Sequence, residues 1–178
     1  VYDFSVKKPD GSTVSLDMYK GKVLVIANTA SYCGYTKQLM GLERSYNQFK
    51  DEGFEVLAFP ANQFKNQEPD PIGKIVETYH KEYGVTFPIF DEVLVNGPEA
   101  SPLFTYLKGE LGYDPENNPP IVIVPLYKAE NHNYKESPDI KWNFTKFLID
   151  KQGKPRFRFE PEQTPSHLDD SIRMLLAE

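Results

Sequence analysis

The chain contains one cysteine, Cys33, and its position is compatible with nucleophilic chemistry. Cys33 follows a continuous apolar run, KVLVIAN (22–28), and comes just before a helical pattern that begins near Thr36. A thiolate at the start of a helix faces free N–H groups and the positive end of the helix dipole, which favour the reactive form. Gly34 allows the backbone to turn tightly beside it. A lone cysteine is more commonly a small buried hydrophobe, so position alone leaves both interpretations open.

The residue types that bind metals or form disulfides are too few or too scattered for such roles. A single cysteine excludes an internal disulfide and a metal site built from clustered thiolates. His80, His132 and His167 lie on unrelated segments with polar neighbours, so we interpret them as exposed helix or loop residues. The sequence therefore predicts no metal site.

Apolar periodicity places Cys33 in an α/β arrangement. Tyr2, Phe4 and Val6 alternate before the turn signal Pro9-Asp10-Gly11, which predicts a β-hairpin. Continuous apolar runs predict strands, and apolar residues three or four apart predict helices. The predicted strands cover 22–28, 54–59, 144–150 and 155–160, and the predicted helices cover 36–50, 72–83, a segment from Ser101-Pro102 and a segment from Thr164-Pro165. This order predicts helices flanking a mixed sheet in one domain, residues 1–178.

The segment 112–139 departs from this compact pattern. It is rich in Pro, Asn and Glu, and an apolar patch, IVIVPL (121–126), interrupts it. Loops of this length are uncommon inside compact domains and often form interfaces or mobile lids. The patch fits a strand packed on its own domain equally well, so both interpretations stay open.

The overall composition narrows the range of partners. Hydrophobic residues make up 39% and charged residues 26% of the chain, as in ordinary globular proteins. The net charge of −6, with lysines scattered among acids, argues against nucleic acid as a partner. No apolar run approaches the ~20 residues of a membrane-spanning helix, so no integral membrane segment is expected. No secretory signal pattern is visible, but the chain begins at Val1, so removal of a leader and the cellular compartment stay open.

Three motifs resemble the signatures of the glutathione peroxidase family. NTASYCGYT (28–36) is similar to the active-site signature, LAFPANQFKNQEP (57–69) to the second signature and IKWNFTKFLID (140–150) to the third. They occur in the family's order and at its spacing. GVTFPIF (84–90) and VNGPEASPLF (95–104) extend the resemblance over nearly the whole chain. The resemblance implies a thioredoxin-like fold.

The resemblance also implies a site of four residues. In the family a selenocysteine or cysteine is grouped with a glutamine, a tryptophan and an asparagine, and the matching positions are Cys33, Gln63, Trp142 and Asn143. Neutral donors can stabilise a thiolate without quenching it in an ion pair, and the two amides and the indole N–H all qualify. Taken singly, each of these three donors also has an ordinary structural explanation, as a loop cap, a core side chain or a turn residue.

The implied reaction is the reduction of a hydroperoxide in two stages. The Cys33 thiolate takes one oxygen from hydrogen peroxide or from an organic or lipid hydroperoxide and becomes a sulfenic acid. A thiol then restores the enzyme, and no metal or organic cofactor is expected. Because the chain has no second cysteine, this thiol is external, for example glutathione or a thioredoxin-type protein.

Two positions depart from the family pattern. Ala61 stands where the second signature normally has a cysteine, and Tyr79 lies roughly where members with an internal disulfide carry the resolving cysteine. The sequence leaves open whether these cysteines are naturally absent or were replaced, and whether the native residue 33 is selenocysteine.

Two further features bear on partners. Lys37 and Lys65 are candidates to bind the carboxylates of glutathione, although exposed lysines need no such role. The segment 112–139 lies where tetramer-forming members carry a longer loop, so an oligomer formed through it is an open expectation.

Two other functions could use the same cysteine. A non-catalytic redox sensor or chaperone-like partner would form mixed disulfides through Cys33, and a sensor would react once with peroxide without turnover. A disulfide-exchange oxidoreductase is disfavoured, because rapid exchange normally needs a second thiol nearby, as in a CxxC pair.

Overall fold

The chain begins with a short β-hairpin, as its alternating pattern predicts. In the computed structural model, which describes residues 1–178, the strands are β1 (Ser5–Lys7) and β2 (Thr13–Ser15). They pair antiparallel, with Val6 opposite Val14. The predicted N-terminal hairpin is therefore confirmed.

A mixed sheet of four strands forms the centre of the molecule. Its strands are β3 (Val23–Thr29), β4 (Phe54–Pro60), β5 (Lys146–Ile149) and β6 (Pro155–Phe159), in the order β4-β3-β5-β6. Strand β3 runs parallel to β4 and antiparallel to β5, and β5 and β6 form an antiparallel pair. The four predicted strands and the mixed sheet are confirmed.

Strand β3 is buried on both faces, which explains its continuous apolar sequence. Its side chains alternate between two apolar clusters. Leu24 and Ile26 belong to one cluster, while Val23, Val25 and Ala27 belong to the other. Helices must therefore pack on each face of the sheet to bury its apolar side chains.

Five α-helices supply this cover. They are α1 (Gln38–Phe49), α2 (Ile72–Tyr83), α3 (Pro102–Glu110), α4 (Val124–Glu130) and α5 (Asp169–Ala177), the last preceded by a 3₁₀ turn, Pro165–Leu168. Helices α1, α2 and α5 pack on the face of Val25, and α3 and α4 pack on the face of Ile26. None of the helices combines the length and the apolar character that crossing a bilayer requires.

Helix α1 begins at Gln38, two residues later than the apolar pattern predicts. Residues 34–37 form a turn before it. The physical reason is the side chain of Thr36, which is hydrogen-bonded back to the loop that precedes it and so fixes a non-helical start.

The segment 112–139 is partly helical, so the interpretation of 121–126 as a packed strand is wrong. Helix α4 begins within the apolar patch, with Pro125 in its first turn, where the missing N–H leaves no helical bond unmade. Ile123 and Tyr127, four residues apart, are buried on the face that meets the core.

The residues just before α4 are held by a single carboxylate. The backbone N–H groups of Ile121, Val122 and Ile123 all donate to Glu162, at 2.7, 2.7 and 2.6 Å. The side chains of Ile121 and Val122 are 83% and 75% exposed. Glu162 thus fixes an apolar surface turn, and an oligomer formed through this segment stays a prediction.

Candidate active site

Cys33 lies in the loop that follows β3, and one hydroxyl fixes this loop. The N–H of Cys33 donates to Thr36 Oγ1 at 3.0 Å, and the same hydroxyl donates to the carbonyl of Ala30 at 2.9 Å. The N–H of Thr36 donates to the carbonyl of Cys33 at 3.1 Å and closes the turn. Because Thr36 is buried, these bonds are shielded from water, and Cys33 has a defined orientation before α1 begins.

The sulfur of Cys33 accepts a backbone hydrogen bond. Its donor is the N–H of Tyr35, 3.3 Å from Sγ. Cys33 is half-buried and packs against both apolar clusters, while its neighbour Tyr32 is 56% exposed. The residue is therefore partly accessible and has a donor suited to a thiolate.

Gln67 connects the Cys33 loop to a distant part of the chain. Its carbonyl accepts from the N–H of Tyr32 at 3.0 Å, and its Oε1 accepts from Asn143 Nδ2 at 2.8 Å. The second and third signatures thus meet beside the first. Asn143 is brought to the Cys33 loop through one intervening residue.

The turn that contains Trp142 and Asn143 is fixed to β3 by Asn28. Asn28 Nδ2 donates to the carbonyl of Trp142 at 3.1 Å, and the N–H of Phe144 donates to the carbonyl of Asn28 at 2.8 Å. Phe144 has a φ of +67°, which is unusual for a bulky residue and marks a constrained turn. Asn143 is fully buried, and its Oδ1 has no partner in the protein.

Trp142 combines a buried ring with an unused donor. The side chain is 2% exposed, and its ring centroid lies 5.8 Å from that of Phe64. Cys33 packs against the apolar cluster that contains both rings. Trp142 is bonded through its carbonyl, whereas its indole N–H makes no hydrogen bond within the protein. Trp142 is therefore a core residue that keeps a free donor.

The side-chain amide of Gln63 is hydrogen-bonded to a different loop. Its Nε2 donates to the carbonyl of Asn96 at 2.9 Å, and its Oε1 accepts from the N–H groups of Val95 and Asn96 at 2.6 and 3.1 Å. With Phe64 it also lines a cavity of about 250 Å³. None of these hydrogen bonds involves Cys33, so the amide of Gln63 is directed toward residues 95–96.

Comparison with known proteins places this arrangement in a family. The glutathione peroxidase family profile matches residues 1–108. A hydroperoxy fatty acid reductase from Synechocystis sp. is 47% identical over 176 residues, which cover 99% of this chain and 95% of that protein. The chain belongs to the glutathione peroxidase family. It is accordingly a peroxidase, an oxidoreductase that acts on hydroperoxides.

Solved structures confirm the fold of this glutathione peroxidase family member. The crystal structure of T. cruzi GPX1 matches with a TM-score of 0.73 and 33% identity, over 99% of this chain and 95% of that chain. A thiol:disulfide interchange protein of the thioredoxin family from Chlorobium tepidum TLS matches with a TM-score of 0.60 and 17% identity, over 97% of this chain and 92% of that chain. The second match shows the fold alone, and the predicted thioredoxin-like fold is confirmed.

Both positions where family members carry additional cysteines are buried here. Ala61 is 1% exposed and Tyr79 is fully buried in α2. The Tyr79 hydroxyl is hydrogen-bonded to Glu68 Oε2 at 2.5 Å and to Thr29 Oγ1 at 2.8 Å. Burial raises the pKa of Glu68 and that of Tyr79, and the Glu68 carboxyl also lies against Ser31, two residues before Cys33. Tyr79 therefore forms part of a buried network behind the Cys33 loop.

The two candidate lysines for glutathione are both exposed. Lys65 forms an ion pair with Glu130 at 3.8 Å, and an exposed pair of this kind contributes little to stability. Contact of Lys37 or Lys65 with glutathione stays a prediction.

Several residues that shape the site escaped the reasoning from sequence. They are Thr36, Gln67, Glu68 and Asn96. Each lies within a stretch that resembles the family, but none has a residue type that suggests peroxide chemistry. The one available signal is their position inside these motifs, because each residue acts through hydrogen bonds to parts of the chain that are distant in sequence.

Proposed function

We propose that this peroxidase reduces its substrate by direct attack of the Cys33 sulfur and that an external thiol completes the cycle. The observation that carries the proposal is the N–H of Tyr35, 3.3 Å from Sγ, at the end of the buried central strand. A backbone N–H stabilises a thiolate but cannot neutralise it by giving up its proton. Cys33 is the sole thiol in the chain, so no other thiol can take this role.

In the first stage, the Cys33 thiolate attacks one oxygen of the hydroperoxide. An S–O bond forms while the O–O bond breaks, and the departing oxygen takes a proton from water and leaves as an alcohol or as water. The sulfur loses two electrons and becomes a sulfenic acid, and the peroxide gains the same two electrons. No metal or organic cofactor enters this stage.

Trp142 and Asn143 are proposed as donors to the reacting oxygens or to the sulfur. The indole N–H of Trp142 has no partner within the protein, so it can donate without breaking an existing bond. Asn143 Nδ2 donates one hydrogen to Gln67, which connects it to the Cys33 loop, and its second amide hydrogen is the proposed donor.

Gln63 enters the proposal in a different way. Its amide is bound to the backbone at Val95 and Asn96, and it could donate to the sulfur only after releasing these bonds. We therefore propose that Gln63 joins the reacting groups when substrate binds, and that in the free enzyme it fixes the loop of residues 95–96.

In the second stage, a thiol from solution attacks the sulfenic sulfur. Water leaves, and a mixed disulfide forms between Cys33 and the thiol. A second thiol attacks the mixed disulfide, releases the Cys33 thiolate and leaves as the oxidised, disulfide-linked reductant. The external origin of both thiols follows from the single cysteine. Glutathione and a thioredoxin-type protein are the two proposed reductants.

Fatty acid hydroperoxides are included among the proposed substrates, beside hydrogen peroxide. The support is the Synechocystis relative, a hydroperoxy fatty acid reductase at 47% identity. The partial exposure of Cys33 beside exposed Tyr32 suits a substrate larger than hydrogen peroxide.

A steady-state assay of the full chain tests the cycle. Hydrogen peroxide and a fatty acid hydroperoxide are each supplied with glutathione or with a thioredoxin system, and the consumption of peroxide is followed. We expect turnover with at least one pair, and a loss of at least ~10³-fold in Cys33→Ser because the nucleophile is gone. Met40→Leu, which alters an exposed side chain of α1, is the control for handling and folding.

Two results would contradict the proposal. A modest loss in Cys33→Ser would show that another group reduces the peroxide. Consumption of one equivalent of peroxide followed by a stall with every thiol would instead identify a redox sensor. Intact mass after one equivalent of peroxide distinguishes the two, since sulfenic acid adds one oxygen to the wild-type chain and none to Cys33→Ser.

A further inference from the structure

A lysine without an acidic partner is buried close to the start of α1. Lys146, the first residue of β5, is fully buried and forms no salt bridge. Its Nζ donates to Gln38 Oε1 at 2.7 Å and to the carbonyl of Pro161 at 3.4 Å. Gln38 Nε2 donates to the same carbonyl at 2.7 Å. One lysine and one amide thus connect β5, α1 and the segment after β6.

Packing alone does not account for this lysine. Burial of an amine without a carboxylate carries a desolvation penalty that an apolar side chain of similar length would avoid. Burial lowers the pKa of Lys146 to about 7. Glu160 is the charged group that faces it, but the Glu160 carboxylate is bound to Arg158 Nε at 2.6 Å. The specific bonds of Nζ are therefore made to Gln38 and Pro161.

A chain of hydrogen bonds leads from Lys146 to the reactive sulfur. Gln38 is the first residue of α1, and its N–H donates to the carbonyl of Tyr35 at 2.8 Å. The N–H of Tyr35 donates to Cys33 Sγ at 3.3 Å. If the Gln38 side chain shifts, the Gln38 backbone shifts with it, and the backbone N–H of Gln38 is the group that binds the Tyr35 carbonyl. The position of the Tyr35 N–H thus depends on a contact made by β5.

We propose that Lys146 and Gln38 are positioning residues that hold the N–H of Tyr35 on the Cys33 sulfur. Neither touches the sulfur, and both act through the turn before α1. The inference deepens the proposed function, because it concerns the same sulfur. It requires only that Cys33 reacts as a thiolate, whatever the oxidant or reductant.

The pH profile of Cys33 alkylation tests this role directly. Iodoacetamide reacts with thiolate, and the chain offers it a single cysteine, so the rate reports Cys33 alone. In Lys146→Met and in Gln38→Met we expect the rate at pH 7 to fall about tenfold and the midpoint of the profile to move to higher pH, because a donor to the thiolate is displaced. The double variant should be no worse than either single variant, since both changes break the same contact.

Lys141→Met is the matched control. Lys141 is also a buried lysine, with its pKa lowered to about 8 by burial, but it bonds to the carbonyl of Ser137 at 2.6 Å and lies over the ring of Tyr113. It has no bond to the turn before α1. We expect its alkylation profile to overlay that of the wild type.

The outcomes separate the possible explanations. Profiles of folded Gln38→Met and Lys146→Met that overlay the wild type would overturn the inference, and so would additive effects in the double variant. If Lys146→Met fails to fold, Gln38→Met, which keeps the lysine, decides the question alone. Alkylation needs no peroxide turnover, so an enzyme that fails the steady-state assay but shows the shifted profiles would refute the proposed function and leave this inference standing.

Discussion

Glu68 and Lys146 are both ionisable, both fully buried and both bound to a helix on the same face of the sheet, yet their surroundings differ. Glu68 is bound to the hydroxyl of Tyr79 in α2, and Lys146 to the side-chain amide of Gln38 in α1. Burial raises the pKa of Glu68 and lowers that of Lys146, and in each case it favours the neutral form. The Cys33 loop lies close to both networks, and the two respond to pH in opposite directions.

The signs follow from linkage between protonation and folding. The pKa of Glu68 is raised above its ordinary 4.5, so its stabilising contribution is complete below that pH and is lost as the pH rises through the folded-state value. The pKa of Lys146 is lowered from 10.5 to about 7, so its contribution is complete above 10.5 and is lost as the pH falls through 7. The same cause, burial, thus makes one network sensitive to base and the other sensitive to acid.

The largest expected effect concerns Lys146. Between pH 10 and pH 7 Lys146 becomes protonated in the unfolded chain, whereas in the folded chain it stays largely neutral. The wild type should therefore lose about 3 kcal/mol more unfolding free energy over this range than Lys146→Met does. Urea unfolding at both pH values measures the difference. Equal losses in the two proteins would show that Lys146 is not buried as an unpaired amine.

A smaller effect is expected from the opposite network. Tyr79→Phe removes the hydroxyl bound to Glu68 and Thr29 and leaves buried polar atoms without a partner. We expect a loss of about 2 kcal/mol in unfolding free energy, measured by urea denaturation at pH 7. No loss would indicate that water replaces the hydroxyl and that the network is open to solvent.

The sign of the Glu68 contribution has its own test. In Glu68→Gln the neutral amide cannot ionise, so the decline in stability that Glu68 causes as the pH rises above about 4.5 should disappear. Urea unfolding of the two proteins at pH 5 and pH 8 compares the slopes. A steeper fall of unfolding free energy with pH in Glu68→Gln than in the wild type would show that the sign assigned to Glu68 is wrong.

The smallest effect is expected at a neutral bond between the two networks. Thr36→Val removes the hydroxyl that bonds to the Cys33 N–H and the Ala30 carbonyl while nearly preserving shape. We expect a loss of about 1 kcal/mol in unfolding free energy, measured by urea denaturation of Thr36→Val and the wild type at pH 6. No loss would show that the hydroxyl does not stabilise the Cys33 loop.

The sequence predicted the parts of this molecule that depend on local pattern. The buried strands β3 and β4 and the helix α2, closed by Gly84, follow directly from apolar periodicity and a glycine stop. The place of Cys33 at the end of a strand before a helix is also a local feature, but it leaves two interpretations of the cysteine open, and the family motifs decide between them. For the apolar patch at 121–126 the sequence predicted an interface or lid loop or a packed strand, and the helix was missed. A short apolar run suits a strand and a helix equally, and Pro125 in the first turn is the signal for a helix.

The remaining features depend on side chains that are far apart in sequence. The bond between Gln38 and Lys146 spans 108 residues, and that between Asn143 and Gln67 spans 76. No spacing rule detects such pairs. The position of Gln63 came from family resemblance, but resemblance gave no sign that its amide is bound to residues 95–96. Its predicted role beside Cys33, like those of Trp142 and Asn143, stays a prediction.

The absence of a second cysteine has a consequence for the survival of the enzyme under stress. In the proposed cycle the oxidised sulfur has no neighbouring thiol with which to form a protective disulfide. The sulfenic acid persists until a reductant diffuses to it. During this time a second molecule of peroxide can oxidise it to the sulfinic acid, and this oxidation is generally irreversible. The dose of peroxide that inactivates the enzyme should therefore rise with the concentration of the reducing thiol around it.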